Sequence, residues 1–235
     1  MRIGIIGAMD VEVAQLLEAM DIKKEETLFG MHFAKGVLSD ADAVVVRCGV
    51  GKVNAAVCAA VLCGHYHCDL VINTGVAGAL NPDLKIGDFL LSLDAVQHDV
   101  DASIFGYEKG EVPSSGMRFF KADERLADLA EKVIEDFGGR SIKGRVASGD
   151  QFIAEKAKKD WIRETFAADC CEMEGAAIAQ ACTLAEVPFL IVRAISDQAD
   201  ESVSISYDVF EKSAARQCAL LTVEILKKFK GRTAL

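Results

Sequence analysis

Short apolar runs alternate along this chain with stretches in which apolar residues recur at helical spacing. Residues 2–8 (RIGIIGA), 43–48 (AVVVRC), 69–74 (DLVINT), 86–96 (IGDFLLSLDAV), 142–147 (IKGRVA) and 189–192 (FLIV) read as strands. Most are continuous enough to be buried on both faces of a sheet. Between them, Val13, Leu16, Leu17 and Met20 are spaced for a helix, and an Ala- and Val-rich helix follows Asn54. Asp123 caps a helix over 125–137, another lies near 155–165, and an amphipathic helix covers Tyr207–Lys230. Alternation in HFAKGVL around a Phe29-Gly30-Met31 turn predicts a hairpin within 25–38. Residues 102–121 carry no such pattern and predict a long loop, the kind that serves as a lid or a subunit contact. With no internal repeat, low-complexity segment or linker, the expectation is one α/β domain over 1–235.

Composition narrows the class of function. The net charge of −10 and pI near 4.9 exclude a nucleic-acid-binding face. The eight cysteines sit mostly inside apolar patterns and read as reduced, buried small hydrophobes of a cytoplasmic protein. The first residues lack the plan of a signal peptide, and no window reaches membrane-spanning length, so neither membrane nor nucleic acid is an expected partner.

The candidate chemistry gathers where strands end. From Cys171 to Asp197 the chain presents Glu172 and Glu174 at a helix start. It then runs through a small-residue helix closed by Pro188, and through the 189–192 strand into Arg193, Ser196 and Asp197. In open α/β sheets, ligands bind at the carboxyl ends of strands, so one helix start and one strand end converge on a pocket. Glu12 follows the first strand in the first turn of a helix, where an acid serves either the helix dipole or a pocket. The glycines of Gly49-Val50-Gly51 and of Gly75-Val76-Ala77-Gly78 allow backbone to approach a small ligand. Phe152, just past the 142–147 strand, is placed either to stack on a planar ligand or to join the core.

Several motifs point elsewhere and stop short. Gly4 and Gly7 lack the remainder of a dinucleotide fingerprint, and Val53 replaces the hydroxyl that a P-loop requires after Lys52. Cys63-Gly64-His65-Tyr66-His67-Cys68 is too tight for zinc, with Gly64 instead placed to follow a helix end. His98, Asp99 and Asp101 lack a fourth ligand and suit a hydrogen-bonded turn. No metal or cofactor is expected.

The strand-end motifs GIIGAM, GVGKV, NTGVAG, HDVDAS, SGDQFI, EMEG and RAISD together resemble the bacterial 5′-methylthioadenosine/S-adenosylhomocysteine nucleosidases. The resemblance implies a three-layer α/β/α sandwich around a mixed central sheet, of the purine nucleoside phosphorylase-like kind. It also implies a cytosolic homodimer that acts on adenine nucleosides without metal or cofactor. By resemblance, Asp197 is the general acid at adenine N7, positioned by Ser196, and Glu12 activates water. Glu174 binds ribose hydroxyls, Arg193 helps to hold the water and Glu174, and Glu172 and Met173 count among the substrate-binding residues. Phe152 stacks on adenine and the Ile153 backbone reads its edge, with Val76, Ala77 and Gly78 also substrate-binding. Met9, Val50 and Tyr207 receive the 5′-alkylthio group, closed by Ala102, Phe105 and Pro113 from the neighbouring subunit. The chain departs from relatives at Val76, where some have Ser, and at Ala102, where several have a larger aliphatic residue. Readings kept open are a 6-amino-6-deoxyfutalosine hydrolase, a phosphorolytic purine nucleoside phosphorylase, and a non-catalytic nucleoside-binding protein.

Overall fold

The apolar runs pair into one mixed sheet. The computed structural model describes residues 1–199 and 203–229, with 203–209 described by backbone alone. In chain order the first half comprises β1 (Arg2–Gly7), α1 (Asp10–Glu18), β2 (Asp21–Leu28), β3 (Met31–Leu38), β4 (Ala41–Arg47), α2 (Lys52–Gly64), β5 (Leu70–Ala79) and β6 (Phe89–Gln97). A 3-10 turn at Ser103–Phe105 precedes β7 (Phe120–Lys121), α3 (Glu124–Asp136), β8 (Ser141–Ser148), α4 (Lys156–Phe166), β9 (Cys170–Glu172), α5 (Gly175–Leu184), β10 (Phe189–Asp197) and α6 (Val203–Phe229).

Strands β4, β1, β5 and β10 lie side by side and parallel, and β2 and β3 extend the β4 edge antiparallel. At the other end the sheet closes on itself: β10 pairs with both β5 and β6, β6 with β8, β8 with β9, and β9 returns to β5. Alternation along the central strands divides the core between two helical layers. Ile3 and Ile5, Ala43 and Val45, Leu70 and Ile72, and Leu190 and Val192 pack with α1, α3 and α6. Ile6, Val44, Val46, Val71, Phe189 and Ile191 pack with α2 and α5. The result is the expected three-layer α/β/α arrangement with a mixed sheet.

Several local expectations need adjustment. The hairpin starts at Asp21, and its turn uses Phe29 (φ 51°) and Gly30 (φ 75°), two left-handed residues in succession. Gly64 does not follow the helix but is its last residue. The cap is His65 at φ −94°, and the left-handed position falls at His67. Asp123 caps α3 as expected, accepting from Arg125 N at 3.0 Å and Leu126 N at 3.2 Å.

Chain direction places the site. After β1 the chain proceeds to β4 on one side, and after β4 it crosses to β5 on the other. Such a reversal opens a crevice at the carboxyl edge. The residues following β1, β4, β5 and β10 all meet there.

Candidate active site

Glu12 enters the crevice from the first turn of α1. Its Oε2 accepts from Ala8 N at 2.6 Å and Met9 N at 3.0 Å, and its Oε1 accepts from Val76 N at 3.1 Å. The carboxylate therefore both caps α1 and ties β1 to β5. The two roles open to it in the sequence coincide. Burial pushes its pKa upward, against the Arg193 charge and the three backbone donors.

Arg193 comes from the buried face of β10 and is 1% exposed. Its Nη2 donates to Asn73 Oδ1 at 2.6 Å and pairs with Glu172, while Glu174 stands 4.0 Å away. A Cβ on Gly75 would collide with both Arg193 Nη1 and Glu12 Oε1. One on Gly78 would come within 2.7 Å of Asp197 Oδ1. These glycines make room for the protein's own side chains as well as for a ligand.

Glu172 and Glu174 divide their labour. Glu172 Oε2 accepts from Glu174 N at 3.1 Å and Gly175 N at 2.7 Å, and Ser148 Oγ accepts from Ala176 N at 2.7 Å while donating to Glu172. Those contacts satisfy the open end of α5. Glu174 is the N-cap residue yet makes no side-chain cap bond of its own. Its Oε1 instead accepts from Gly51 N at 2.8 Å, across from α2. Its pKa is pushed up to about 7, chiefly by burial and then by the Glu172 charge, with Arg193 and the Gly51 N–H opposing.

At the end of β10 the register against β5 shifts between Ile195 and Asp197. A bulge of this kind re-aims a side chain. Asp197 Oδ1 accepts from Ala199 N at 2.8 Å, and its Oδ2 accepts from Ser196 Oγ at 2.8 Å. Ser196 Oγ also lies 3.4 Å from the Ala77 carbonyl. The hydroxyl can thus turn to that second acceptor when Asp197 carries a proton.

A single cleft is lined by Met9, Glu12, Val50, Val76, Ala77, Gly78, Phe152, Ile153, Glu172, Met173, Glu174, Ser196 and Asp197. Phe152 and Val50 are about half exposed at its mouth, and Arg193 lies beneath it. Ala102, Phe105 and Pro113 do not line the cleft of their own chain. Phe105, 80% exposed, and Pro113 face outward. The Tyr207 side chain lies outside the described residues. Ala8, Gln151 and Cys171 line the cleft without having been expected there, and Asn73 and Ser148 brace it from below. Asn73 carried a signal: an amide inside an apolar strand buried on both faces needs partners. Elsewhere, Asp99 pairs with Lys52, and Asp101 accepts from Ser103 and pairs with Lys109, while His98 is buried.

Layers, strand direction and a carboxylate-rich cleft at the switch point together define a phosphorylase-like α/β protein. A family model for the phosphorylase superfamily matches residues 2–227. A 5′-methylthioadenosine/S-adenosylhomocysteine nucleosidase of Geobacillus kaustophilus is 40% identical over 99% of each chain. The crystal structure of such a nucleosidase from Neisseria meningitidis, in complex with methylthio-immucillin-A, superposes with a TM-score of 0.93 at 39% identity, covering 97% of this chain and 99% of that one. A futalosine hydrolase of Helicobacter pylori superposes at 0.92 with 36% identity, covering 97% of each. The chain belongs to the phosphorylase superfamily and, within it, to the family of 5′-methylthioadenosine/S-adenosylhomocysteine nucleosidases.

Proposed function

We propose that the protein hydrolyses the N-ribosidic bond of 5′-methylthioadenosine and S-adenosylhomocysteine, with 5′-deoxyadenosine as a further substrate, releasing adenine and the free sugar. Asp197 gives its proton to adenine N7, and Ser196 follows the change of charge by turning its hydroxyl from the Ala77 carbonyl back to the carboxylate it leaves behind. Glu12 takes a proton from water as it attacks the anomeric carbon. Its upward-shifted pKa makes it a stronger base than an exposed carboxylate. Glu174 accepts from the ribose hydroxyls and, with Glu12, favours the positive charge that develops on the sugar. Arg193 holds Glu172 and stands beside Glu174. Phe152 stacks on adenine, the Ile153 backbone reads its edge, and Met9 and Val50 receive the 5′ substituent. With no hydroxyl at Val76, only the backbone N–H of that residue serves Glu12.

The observation that carries the choice of nucleophile is the charge around Arg193. Burial works against the charge of this one guanidinium, yet Glu172, Glu12 and Glu174 surround it and together push its pKa up. A phosphate entering there would meet an excess of carboxylate, whereas water meets a base. Turnover of methylthioadenosine should therefore yield adenine and free methylthioribose at the same rate with and without phosphate in the buffer. Appearance of the sugar 1-phosphate, or adenine release only with phosphate, would make the protein a phosphorylase. The likeness to the futalosine hydrolase supports a second reading, 6-amino-6-deoxyfutalosine hydrolysis at the same site, and comparing kcat/KM for the two nucleosides ranks them.

The working form is a homodimer in the cytoplasm, with one domain per subunit and no metal or cofactor. The outward-facing Phe105 and the free cysteines, seven of the eight buried, support that reading. Among the described residues, no helix is long and apolar enough to cross a membrane.

A further inference from the structure

Outside the catalytic carboxylates, two segments that line the cleft and a third that leads into the 102–113 loop are joined by a closed ring of hydrogen bonds. Lys52 N, the first donor of α2, gives to Asp150 Oδ1 at 2.8 Å. Asp150 N gives to Asp99 Oδ2 at 3.0 Å. Lys52 Nζ closes the ring on Asp99 Oδ1 at 2.6 Å, and it also reaches Gln97 Oε1 at 2.9 Å. The Lys52 and Asp99 side chains are only 17% and 21% exposed, so the pair is partly shielded from solvent. Gly51, at φ 100°, lets the chain pass close to Asp150: a Cβ there would lie 3.2 Å from its Oδ1.

Two corners of the ring adjoin the cleft, and the third leads into the 102–113 loop. Next to Lys52, Gly51 N holds Glu174 Oε1, and Val50 lines the cleft. Asp150 stands two residues before Phe152. Asp99 stands three before Ala102, where the outward-facing loop begins. We infer that Lys52 and Asp99 are positioning residues that lock the ribose-binding carboxylate, the adenine-stacking loop and the 102–113 loop into one arrangement. The inference deepens the nucleosidase reading and rests on it. A loose ring leaves each segment able to move independently, so part of the binding energy is spent on ordering them again and substrate binds more weakly.

The decisive variant is Asp99→Asn, whose amide has one acceptor and cannot serve both Lys52 and Asp150. KM for methylthioadenosine should rise about ten-fold while kcat changes much less, the pattern of lost uniform binding. The acid limb of kcat/KM supplies a reading that a merely structural role would leave in place. Glu174 faces Glu172, Glu12, Arg193, Cys48 and the Gly51 N–H. Removing the negative charge of Asp99 can only favour the ionised form of Glu174 and move that limb to lower pH. Loosening Gly51 withdraws a donor from the carboxylate and moves it up, by about half a unit for one hydrogen bond. An upward shift in Asp99→Asn, which the lost charge alone would not give, supports the lock, with KM also raised in Lys52→Met and kept near wild type in Lys52→Arg. A downward shift, or no change in KM or limb, overturns it. Wild-type protein that releases no adenine sinks the nucleosidase reading instead. The lock is then decided by hydrogen exchange: joint loss of protection at 50–53 and 149–153 in Asp99→Asn supports it, and unchanged protection overturns it.

Discussion

At the scale of single residues the site sets acids against one another. Asp197→Asn can still accept from Ala199 N and, with the Ser196 hydroxyl turned to Ala77, donate to Ser196 Oγ, but it has no acid proton to give. It should fold with wild-type thermal stability and lose about 10²–10⁴ in kcat for adenine release, since that is the usual contribution of one general acid. Retention of most of kcat in a folded Asp197→Asn protein would take Asp197 out of the mechanism. Glu174 makes a prediction of opposite sign for stability. Its folded-state pKa, about 7, stands above the ordinary 4.5. The folded state is therefore favoured by its protonation fully below about pH 4.5, and that contribution is lost as pH rises through about 7. Glu174→Gln should stabilise the fold by about 1–3 kcal/mol at pH 8, and the gain should shrink toward pH 5. Melting curves of both proteins at the two pH values read this directly, and an equal gain at both would show that ionisation is not its source. If Glu174 binds the ribose as proposed, the same ionisation predicts that wild-type kcat/KM falls below about pH 7. The carboxylate accepts more strongly than the protonated carboxyl and favours the developing positive charge. Which acids line the cleft was legible from strand ends alone. That Glu172 caps α5 while Glu174 is left to the ligand was not, because both lie at one helix start and only their partners, Ser148 and Gly51, distinguish them.

At the scale of elements, glycines decide what can meet. Gly75 lies in β5 where Arg193 and Glu12 converge, and the space a Cβ would need is occupied by their charged ends. Gly75→Ala should cost about 1–3 kcal/mol by overpacking and separate the pair, with a loss of activity larger than the loss of stability explains. Gly64 is the contrast. It closes α2 with nothing within 4 Å of a Cβ and no left-handed φ. Gly64→Ala should raise stability by up to about 1 kcal/mol without touching turnover. Paired denaturant titrations and adenine-release assays on the two variants check both. The buried parallel strands were readable because a short, continuous apolar run bounded by turn residues suits a strand covered on both faces. The three-residue β9 was not, being too short to show a period. It exists because β5 and β8 pair with it on either side. The closure of β10 onto both β5 and β6 also escaped the pattern, since hydrophobicity gives the faces of a strand but not its neighbours.

At the scale of the whole molecule the 102–113 loop stands apart from the cleft of its own chain. Ala102, Phe105 and Pro113 do not line that cleft, and Phe105 and Ile104 expose 80% and 87% of their surface. Exposed apolar side chains clustered on one loop mark an interaction site. If a second copy receives them, the protein should scatter light as a dimer, and Phe105→Ala should raise KM for methylthioadenosine while leaving the Asp197 chemistry in place. Sharing of the site is tested by mixing. Inactive Asp197→Asn subunits and weak-binding Phe105→Ala subunits are refolded together, so that about half of the dimers are mixed. Where the loop reaches across, each mixed dimer has one site with both defects and one with neither, and wild-type KM reappears in a fraction of the molecules. Where every loop serves its own chain, each mixed dimer holds two defective sites, and mixing restores nothing. A fully active monomer, or the absence of complementation in dimers shown to be mixed, would return Phe105 to the surface of a self-sufficient subunit.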